Sequence, residues 1–102
     1  MANTFLSATS ANIGTTEAII YTVPAATTTV VIGFLVANKA SSMVNVTLAT
    51  GSITLGKDLP IPSGSSLSAL DGKLVLGAGD TVTVQSDTAA SVDAILSVME
   101  IS

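Results

Sequence analysis

The residues of this sequence that could take part in chemistry are almost all carboxylates. The chain contains no histidine and no cysteine, which removes the commonest metal ligands and the nucleophile–base pairs that depend on an imidazole or a thiol. Its acidic residues are Glu17, Asp58, Asp71, Asp80, Asp87, Asp93 and Glu100. Because two carboxylates are enough for glycoside hydrolysis, composition alone leaves that reaction open.

Three of the aspartates stand in or beside segments with turn chemistry, which favours a structural role. Asp71 lies in LDGK, Asp80 in LGAGDT and Asp87 in SDTAAS. In turns an aspartate side chain accepts hydrogen bonds from nearby backbone N–H groups, so we expect these residues to cap turns. No run of acids at alternate positions resembles a calcium-binding loop. We therefore predict no catalytic residues, no metal site and no cofactor.

Two alternatives stay open, a hydrolase with paired carboxylates and a carbohydrate-binding module. Both classes need a shaped cleft or platform, and such sites are commonly lined with aromatic side chains. Aromatic residues make up only 3% of this chain, namely Phe5, Tyr21 and Phe34. We therefore expect a protein that is not an enzyme and that takes no small-molecule substrate.

The charge of the chain limits its partners. Three lysines and seven acidic residues give a net charge of −4. Without a basic cluster there is no electrostatic basis for binding nucleic acid or an anionic membrane surface. The first residues, MANTFLSATSANIG, lack the charged start of a secretion signal, so we expect none.

The rest of the composition points to β-structure and to association. Hydrophobic residues make up 48% of the chain but charged residues only 10%, and the mean hydropathy is +0.72. Low surface charge promotes contact between molecules. Valine, isoleucine and threonine dominate, and alternation such as Val44–Val46–Leu48 around polar residues is typical of half-buried strands.

The spacing of these strands predicts the fold class. Over a single domain spanning residues 1–102, we expect an all-β antiparallel sandwich of about eight strands, jelly-roll or immunoglobulin-like. The last segment also fits helical spacing, but its β-branched residues favour a strand. The predicted strands lie near residues 4–10, 17–23, 29–38, 43–49, 52–56, 66–70, 73–77, 81–86 and 92–101. The two prolines of LPIPSGSS indicate an edge or loop there.

One predicted strand, VVIGFLVA (residues 30–37), is apolar at every step rather than at alternate steps. Strict alternation assigns Val31 and Leu35 to the face opposite Ile32 and Phe34. That second face needs a cover, either the segment 57–66 of the same chain or another subunit. We favour a subunit, and we predict an interface formed by Val31, Leu35, Ile95, Met99 and Ile101.

Two stretches carry a resemblance to a known class of proteins. YTVPAATTTVVIGFLVAN (residues 21–38) and LPIPSGSSLSALDGKLVLGAGDTVTVQSDTAASVDAILSVMEI (residues 59–101) resemble small all-β virion structural proteins of tailed bacteriophages. These have a YTVPAG start, a PIPAGSS…LLDGK stretch and a closing strand similar to VSVLEI. This chain departs from the pattern at Ala26, where glycine is common.

The resemblance implies a structural role on a virus particle. The expected function is a capsid decoration or cement subunit, made in the host cytoplasm and located on the virion. Its expected partners are copies of itself and other virion proteins, the major capsid protein foremost. A neck, tail or fibre component is the alternative in the same class, and a host-surface-binding module is the alternative in another.

Overall fold

A computed structural model describes residues 3–51, 53–68 and 74–101, and all the regular structure in these ranges is β-strand. The strands follow the positions predicted from alternation, including the last one, which is a strand and not a helix. Their bounds are β1 Asn3–Ile13, β2 Ala18–Thr22, β3 Thr28–Asn38, β4 Val44–Thr50, β5 Ile53–Ile61, β6 Ser66–Ser68, β7 Leu74–Leu76, β8 Thr81–Ser86 and β9 Val92–Ile101.

The strands form two antiparallel sheets. The first sheet has the order β1-β9-β3-β6, with β7 also paired to β3, and the second has the order β2-β8-β4-β5. β6 pairs with residues 35–37 of β3 and β7 with residues 29–31, so the two short strands share one position beside β3. Counting that position once leaves four strands in each sheet, connected as a jelly-roll. The predicted all-β antiparallel sandwich is confirmed. Of the two predicted types, jelly-roll and immunoglobulin-like, the strand order matches the jelly-roll.

A bulge in β3 decides which of its side chains face the core. Val31 lies opposite Val98 of β9, but the next aligned pair is Gly33 with Ser97, so Ile32 is an extra residue on β3. An extra residue reverses the alternation of inward and outward positions beyond it. Val31 is buried before the bulge, and Phe34 is buried after it.

The core between the sheets is made mainly of valine. The buried hydrophobic residues are Ile13, Ile20, Val23, Val31, Phe34, Val36, Val44, Val46, Leu48, Ile61, Leu76, Val82, Val84, Val92, Ala94, Leu96 and Val98. Every strand except the short β6 contributes at least one buried residue to this core, and β5 does so through Ile61 at its end. Small β-branched side chains allow the two faces to pack closely without large rings.

Turns and strand ends agree with most of the expectations from the sequence. Asp80 accepts a hydrogen bond from the Gly77 N–H at 2.9 Å, so it caps its own turn as predicted. Asp87 instead bridges to a neighbouring strand, where it accepts from the Asn45 N–H at 3.1 Å. The LPIP prolines lie in and just after β5, which is an edge of the second sheet. The predicted LDGK hairpin, with Asp71, lies outside the described residues.

Candidate assembly surface

The outer face of the first sheet carries a row of apolar side chains that runs across four strands. Phe5 of β1 lies opposite Met99 of β9, Met99 lies opposite Val30 of β3, and Val30 lies opposite Val75 of β7. Directly opposed residues in antiparallel strands point to the same side of the sheet. The row is therefore a continuous apolar band that faces away from the core.

Further apolar residues lie on the same outer face, beyond a cross-strand row of small residues formed by Ser7, Ser97 and Gly33. Leu35 and Ile95 lie directly opposite each other on the same outer face, and Ile32 is exposed at the bulge. We call the whole set the apolar face; it consists of Phe5, Val30, Ile32, Leu35, Val75, Ile95, Met99 and Ile101. Phe5 is 70% exposed and Val75 is 65% exposed, so neither has a substantial cover in the folded chain.

Four of the five residues predicted as an interface lie on the apolar face. Leu35 is 42% exposed and Ile95 is 39% exposed, while Met99 and Ile101 are half-buried beside them. The prediction that Val31 belongs to this interface is wrong, because its side chain lies in the core and is 0% exposed. Strict alternation put Val31 and Leu35 on one face, and the bulge at Ile32 separates them.

The segment 57–66 does not cover this surface. Residues 57–61 belong to β5 in the second sheet, where they pair with β4. The backbone of Ser65 accepts a hydrogen bond from the Asn38 N–H at 2.9 Å, so the segment reaches the first sheet at the end of β3. The alternative of an internal cover by residues 57–66 is therefore wrong. Leu35, which such a cover would bury, is 42% exposed.

Sequence reasoning missed Phe5, Val30, Ile32 and Val75. Phe5 and Val75 each have an apolar neighbour in the chain, so alternation alone does not say which of the two points outward. The signal that identifies them is cross-strand pairing with Met99 and Val30, which depends on the register of the sheet.

A shallow groove of about 280 Å³ lies at one end of the apolar face. Its lining residues are Thr9, Ser10, Ala11, Leu35, Ala37, Asp93, Ala94 and Ile95. The one charged group in this lining is Asp93, which forms an ion pair with Lys39 at 3.1 Å. The hydrogen bond from the Asn12 backbone N–H, followed by that from Lys39, holds the pKa of Asp93 below its ordinary value. Pairing with Lys39 thus reduces the charge that this end of the apolar face presents.

The second sheet presents a different surface. A groove of about 310 Å³ on it is lined by polar and charged residues: Asn45, Thr47, Lys57, Asp58, Gln85, Ser86 and Asp87. Polar side chains are well hydrated when exposed, so this surface has less to gain from burial than the apolar face. This groove is polar, in contrast to the apolar face, although Ile19 and Ile53 are exposed elsewhere on the second sheet.

Within the described ranges, the carboxylates do not gather into a catalytic or metal-binding cluster. No group of three or more His, Cys, Asp or Glu residues lies close enough there to hold a metal ion. The aromatic residues are also apart, since Phe34 is buried in the core and Tyr21 is partly buried between strands, which leaves Phe5 alone as an exposed ring. These positions give no platform of rings for a sugar.

Tyr21 joins the two sheets through a small polar cluster. Its hydroxyl, on β2 of the second sheet, donates to Glu100 Oε2 at 2.5 Å and lies 2.8 Å from the Thr29 hydroxyl on the first sheet. Burial, with the hydrogen bond to Glu100, raises the pKa of Tyr21 above its ordinary value of 10.0. The cluster satisfies the buried Thr29 hydroxyl and has the character of a structural tie.

Comparisons with known proteins inform on the fold. No protein-family model matches the chain, and no curated protein matches it in sequence. A solved structure described as a Bacillus endospore appendage, from a novel family of disulfide-linked pili, is similar over 99% of this chain and 87% of that chain, with 20% identity and a TM-score of 0.57. The likeness to this solved structure shows a shared all-β fold.

In the described part of this chain no helix is long and apolar enough to cross a membrane.

Proposed function

We propose that this chain is a non-enzymatic structural subunit that assembles in many copies through its apolar face. The observation that carries the proposal is that this face is apolar across four strands of the first sheet and is left exposed by the folded chain. Monomeric proteins rarely keep contiguous apolar patches of large size unless a partner covers them.

The energetics favour association. Full burial of a valine, leucine or isoleucine side chain is worth about 1.5–3 kcal/mol relative to exposure. Covering the exposed parts of the valine, leucine and isoleucine side chains of the apolar face is therefore worth several kcal/mol, and a small domain has a total stability of about 5–15 kcal/mol. With 10% charged residues, the chain has little charge repulsion to oppose this contact.

The fold comparison supports a structural role without fixing its setting. The similar solved structure belongs to a pilus, which is a polymer of subunits, and it is described as disulfide-linked. This chain has no cysteine, so its contacts are not disulfide-linked. Many weak contacts in a repetitive assembly combine into strong attachment, and such an assembly needs no covalent link.

The setting we propose is a virion, on the strength of the sequence resemblance to small phage structural proteins. The subunit decorates or cements the capsid surface by bridging copies of itself and the major capsid protein. The genes that flank its own test this placement. Capsid genes favour the decoration role, tail genes favour a neck, tail or fibre component, and neighbours of neither kind contradict the virion setting.

The test of the apolar face is a charge placed at its Leu35–Ile95 pair. Ile95→Asp and Leu35→Asp should each shift the protein toward monomer in light-scattering measurements of molar mass, because an aspartate in a buried contact must be desolvated. Ile19→Asp is the matched control, since Ile19 is 64% exposed but lies on β2 of the second sheet. Circular dichroism melting confirms that each variant folds.

Three outcomes of these light-scattering measurements decide whether the apolar face mediates association. Loss of association in Ile95→Asp and Leu35→Asp but not in Ile19→Asp supports the proposal. Equal effects of all three variants contradict a specific role for the apolar face. A wild-type protein that stays monomeric up to high concentration, with or without purified capsids, contradicts the proposed function as a whole.

A further inference from the structure

β1 is an edge of the first sheet along its whole length. Among the described strands it pairs only with β9, in a regular register from Asn3 to Ser10. In an antiparallel ladder, alternate residues direct both their N–H and their C=O toward the same neighbour. Every second residue of β1 therefore offers its backbone groups on the side where no described strand lies.

This edge lacks the features that usually prevent strands from pairing with other molecules. Such features include charged residues, proline, bulges and short length. The eight residues from Asn3 to Ser10 contain no charge, no proline and no register shift. All the side chains of this segment are exposed or only half-buried.

The other edge strands carry several of these features. β5 contains Lys57, Asp58 and Pro60, and its pairing with β4 has two register shifts. β2 has five residues and a register shift, and the described parts of β6 and β7 have three residues each. Three of the edges are thus protected against pairing with another strand. Among the described strands, β1 is the edge that is both long and uncharged.

We propose that the β1 edge pairs with β1 of a second copy of this chain, antiparallel and about a two-fold axis. The proposal rests on the proposed function, since it names one of the contacts by which copies associate. It adds a directional contact through backbone hydrogen bonds to the non-directional contact of the apolar face.

The number of hydrogen bonds is adequate for a specific interface. Two eight-residue segments in antiparallel pairing form about eight backbone hydrogen bonds. Specific protein–protein interfaces of standard size carry about 10 ± 5 direct hydrogen bonds. The ladder alone therefore reaches the usual range before any side-chain contact is added.

Charge explains why a second β1 is the fitting partner strand. The whole chain has a net charge of −4, so contact between two copies is most favourable where the meeting surfaces are neutral. Two uncharged β1 segments meet without placing like charges opposite each other. A two-fold pair uses the same patch on both copies and closes, as most homodimers do.

The pairing also enlarges the apolar face. Directly opposed residues in the new ladder share a side of the sheet, so the outer faces of the two copies lie on the same side. Phe5, the most exposed large apolar residue, stands on the edge strand and becomes part of a band that continues into the second copy. The two-fold pair is then the unit that buries its joined apolar faces in the larger assembly.

The experiment uses single cysteines, which are unambiguous because the chain has none of its own. Each residue from Asn3 to Ser10 is replaced by cysteine in turn, and each variant is oxidised under mild conditions. Directly opposed residues lie about 4.5–5.5 Å apart between Cα atoms. That separation falls within the range that a disulfide bridges.

Ser97→Cys is the matched control. Ser97 lies directly opposite Ser7 on the same face, but one strand further from the edge. In the proposed pair the two copies of Ser97 are three strand spacings apart, about 14 Å, and cannot be bridged.

We expect the yield of covalent dimer to peak at one or two neighbouring positions of β1 and to fall on both sides, with none at Ser97→Cys. A flat yield along β1, or a yield at Ser97→Cys equal to the maximum on β1, overturns the edge pairing. If Ile95→Asp and Leu35→Asp abolish association while the β1 scan is flat, the proposed function stands and the edge pairing fails. If the wild-type protein is monomeric and no cysteine variant cross-links, both fail.

Discussion

At the scale of single residues, the left-handed backbone positions are the most informative feature. Among the residues that the structure describes, four non-glycine residues have positive φ, namely Asn12, Ala26, Asp58 and Ala90. Asparagine and aspartate tolerate this region because their short polar side chains bond to the local backbone. Alanine has no such compensation, so Ala26 at φ 57° is a strained position, and the phage pattern that the sequence resembles has glycine at this place.

Replacing Ala26 by glycine should therefore stabilise the protein. The left-handed conformation costs a residue with a Cβ about 1–2 kcal/mol, and glycine avoids that cost. Glycine also loses more conformational entropy on folding, which offsets part of the gain. We expect Ala26→Gly to raise the free energy of unfolding by about 0.5–1 kcal/mol in urea denaturation. Ala25→Gly, next to it at a φ that is not positive, should lower it, and stabilisation by both variants would contradict the strain at Ala26.

The ion pair at the groove gives a second prediction at this scale. The folded-state pKa of Asp93 is lowered from 3.8, so its contribution is present above that value and is lost as the pH falls through the folded pKa. We expect Asp93→Asn to be less stable than wild type at pH 7 by less than about 1 kcal/mol, because the pair is exposed. The difference should shrink at pH 3, and one that grows there would show that Asp93 does not act through its charged form.

At the scale of elements, the bulge in β3 and the tie at Tyr21 determine how the sheets are used. The bulge turns Leu35 outward to lie opposite Ile95, and turns Phe34 inward. Without it, strict alternation would place Leu35 on the side of Val31 in the core. The apolar face thus depends on one extra residue as much as on the composition of the strand.

The tie between the sheets predicts the effect of removing one hydroxyl. Tyr21→Phe leaves the Thr29 hydroxyl, in a residue that is fully buried, without its tyrosine partner. We expect a loss of about 1–2 kcal/mol in the free energy of unfolding, measured by circular dichroism in urea. Glu100→Gln keeps a hydrogen-bond acceptor and should cost less than Tyr21→Phe.

The pH dependence of this tie has the opposite sign to that of Asp93. Burial raises the pKa of Tyr21 in the folded chain, so its contribution is fully present below the unfolded value of about 10 and is lost as the pH rises through the folded pKa. Wild type and Tyr21→Phe should therefore approach each other in stability above pH 10, and a constant difference would contradict the tie.

At the scale of the whole molecule, the two sheets of one sandwich present different surfaces. The first sheet exposes the apolar face and the uncharged β1 edge, while the second exposes a polar groove and an edge strand with Lys57 and Asp58. In the assembly that we propose, the first sheet forms the contacts and the polar groove of the second sheet stays in solvent.

The nature of these contacts predicts how salt affects association. Contact through apolar side chains and neutral backbone is not weakened by screening, and sulfate strengthens burial because it is excluded from protein surfaces. We expect the molar mass in light scattering to stay constant or rise with sodium chloride and to rise with ammonium sulfate. Dissociation by sodium chloride would indicate charged contacts instead.

The sequence by itself determined the class of fold and the approximate positions of most strands, although β5 continues to Ile61, beyond the predicted end at residue 56. Alternation with a period of two is a property of each strand alone, and β-branched residues favour strands wherever they lie. For the same reason LGAGDT and SDTAAS were recognised as breaks, since turn residues act on the local backbone.

Only the tertiary structure decided which residues face outward and which strand forms the open edge. Val31 and Leu35 are separated by a bulge that exists only in the pairing of β3 with β9, and Phe5 and Val75 join the apolar face only through register. Register and strand order are set by contacts between distant parts of the chain, and a local pattern of residues does not encode them. For that reason the sequence predicted a β-protein that is prone to associate, and the fold located the surface through which we propose that it assembles.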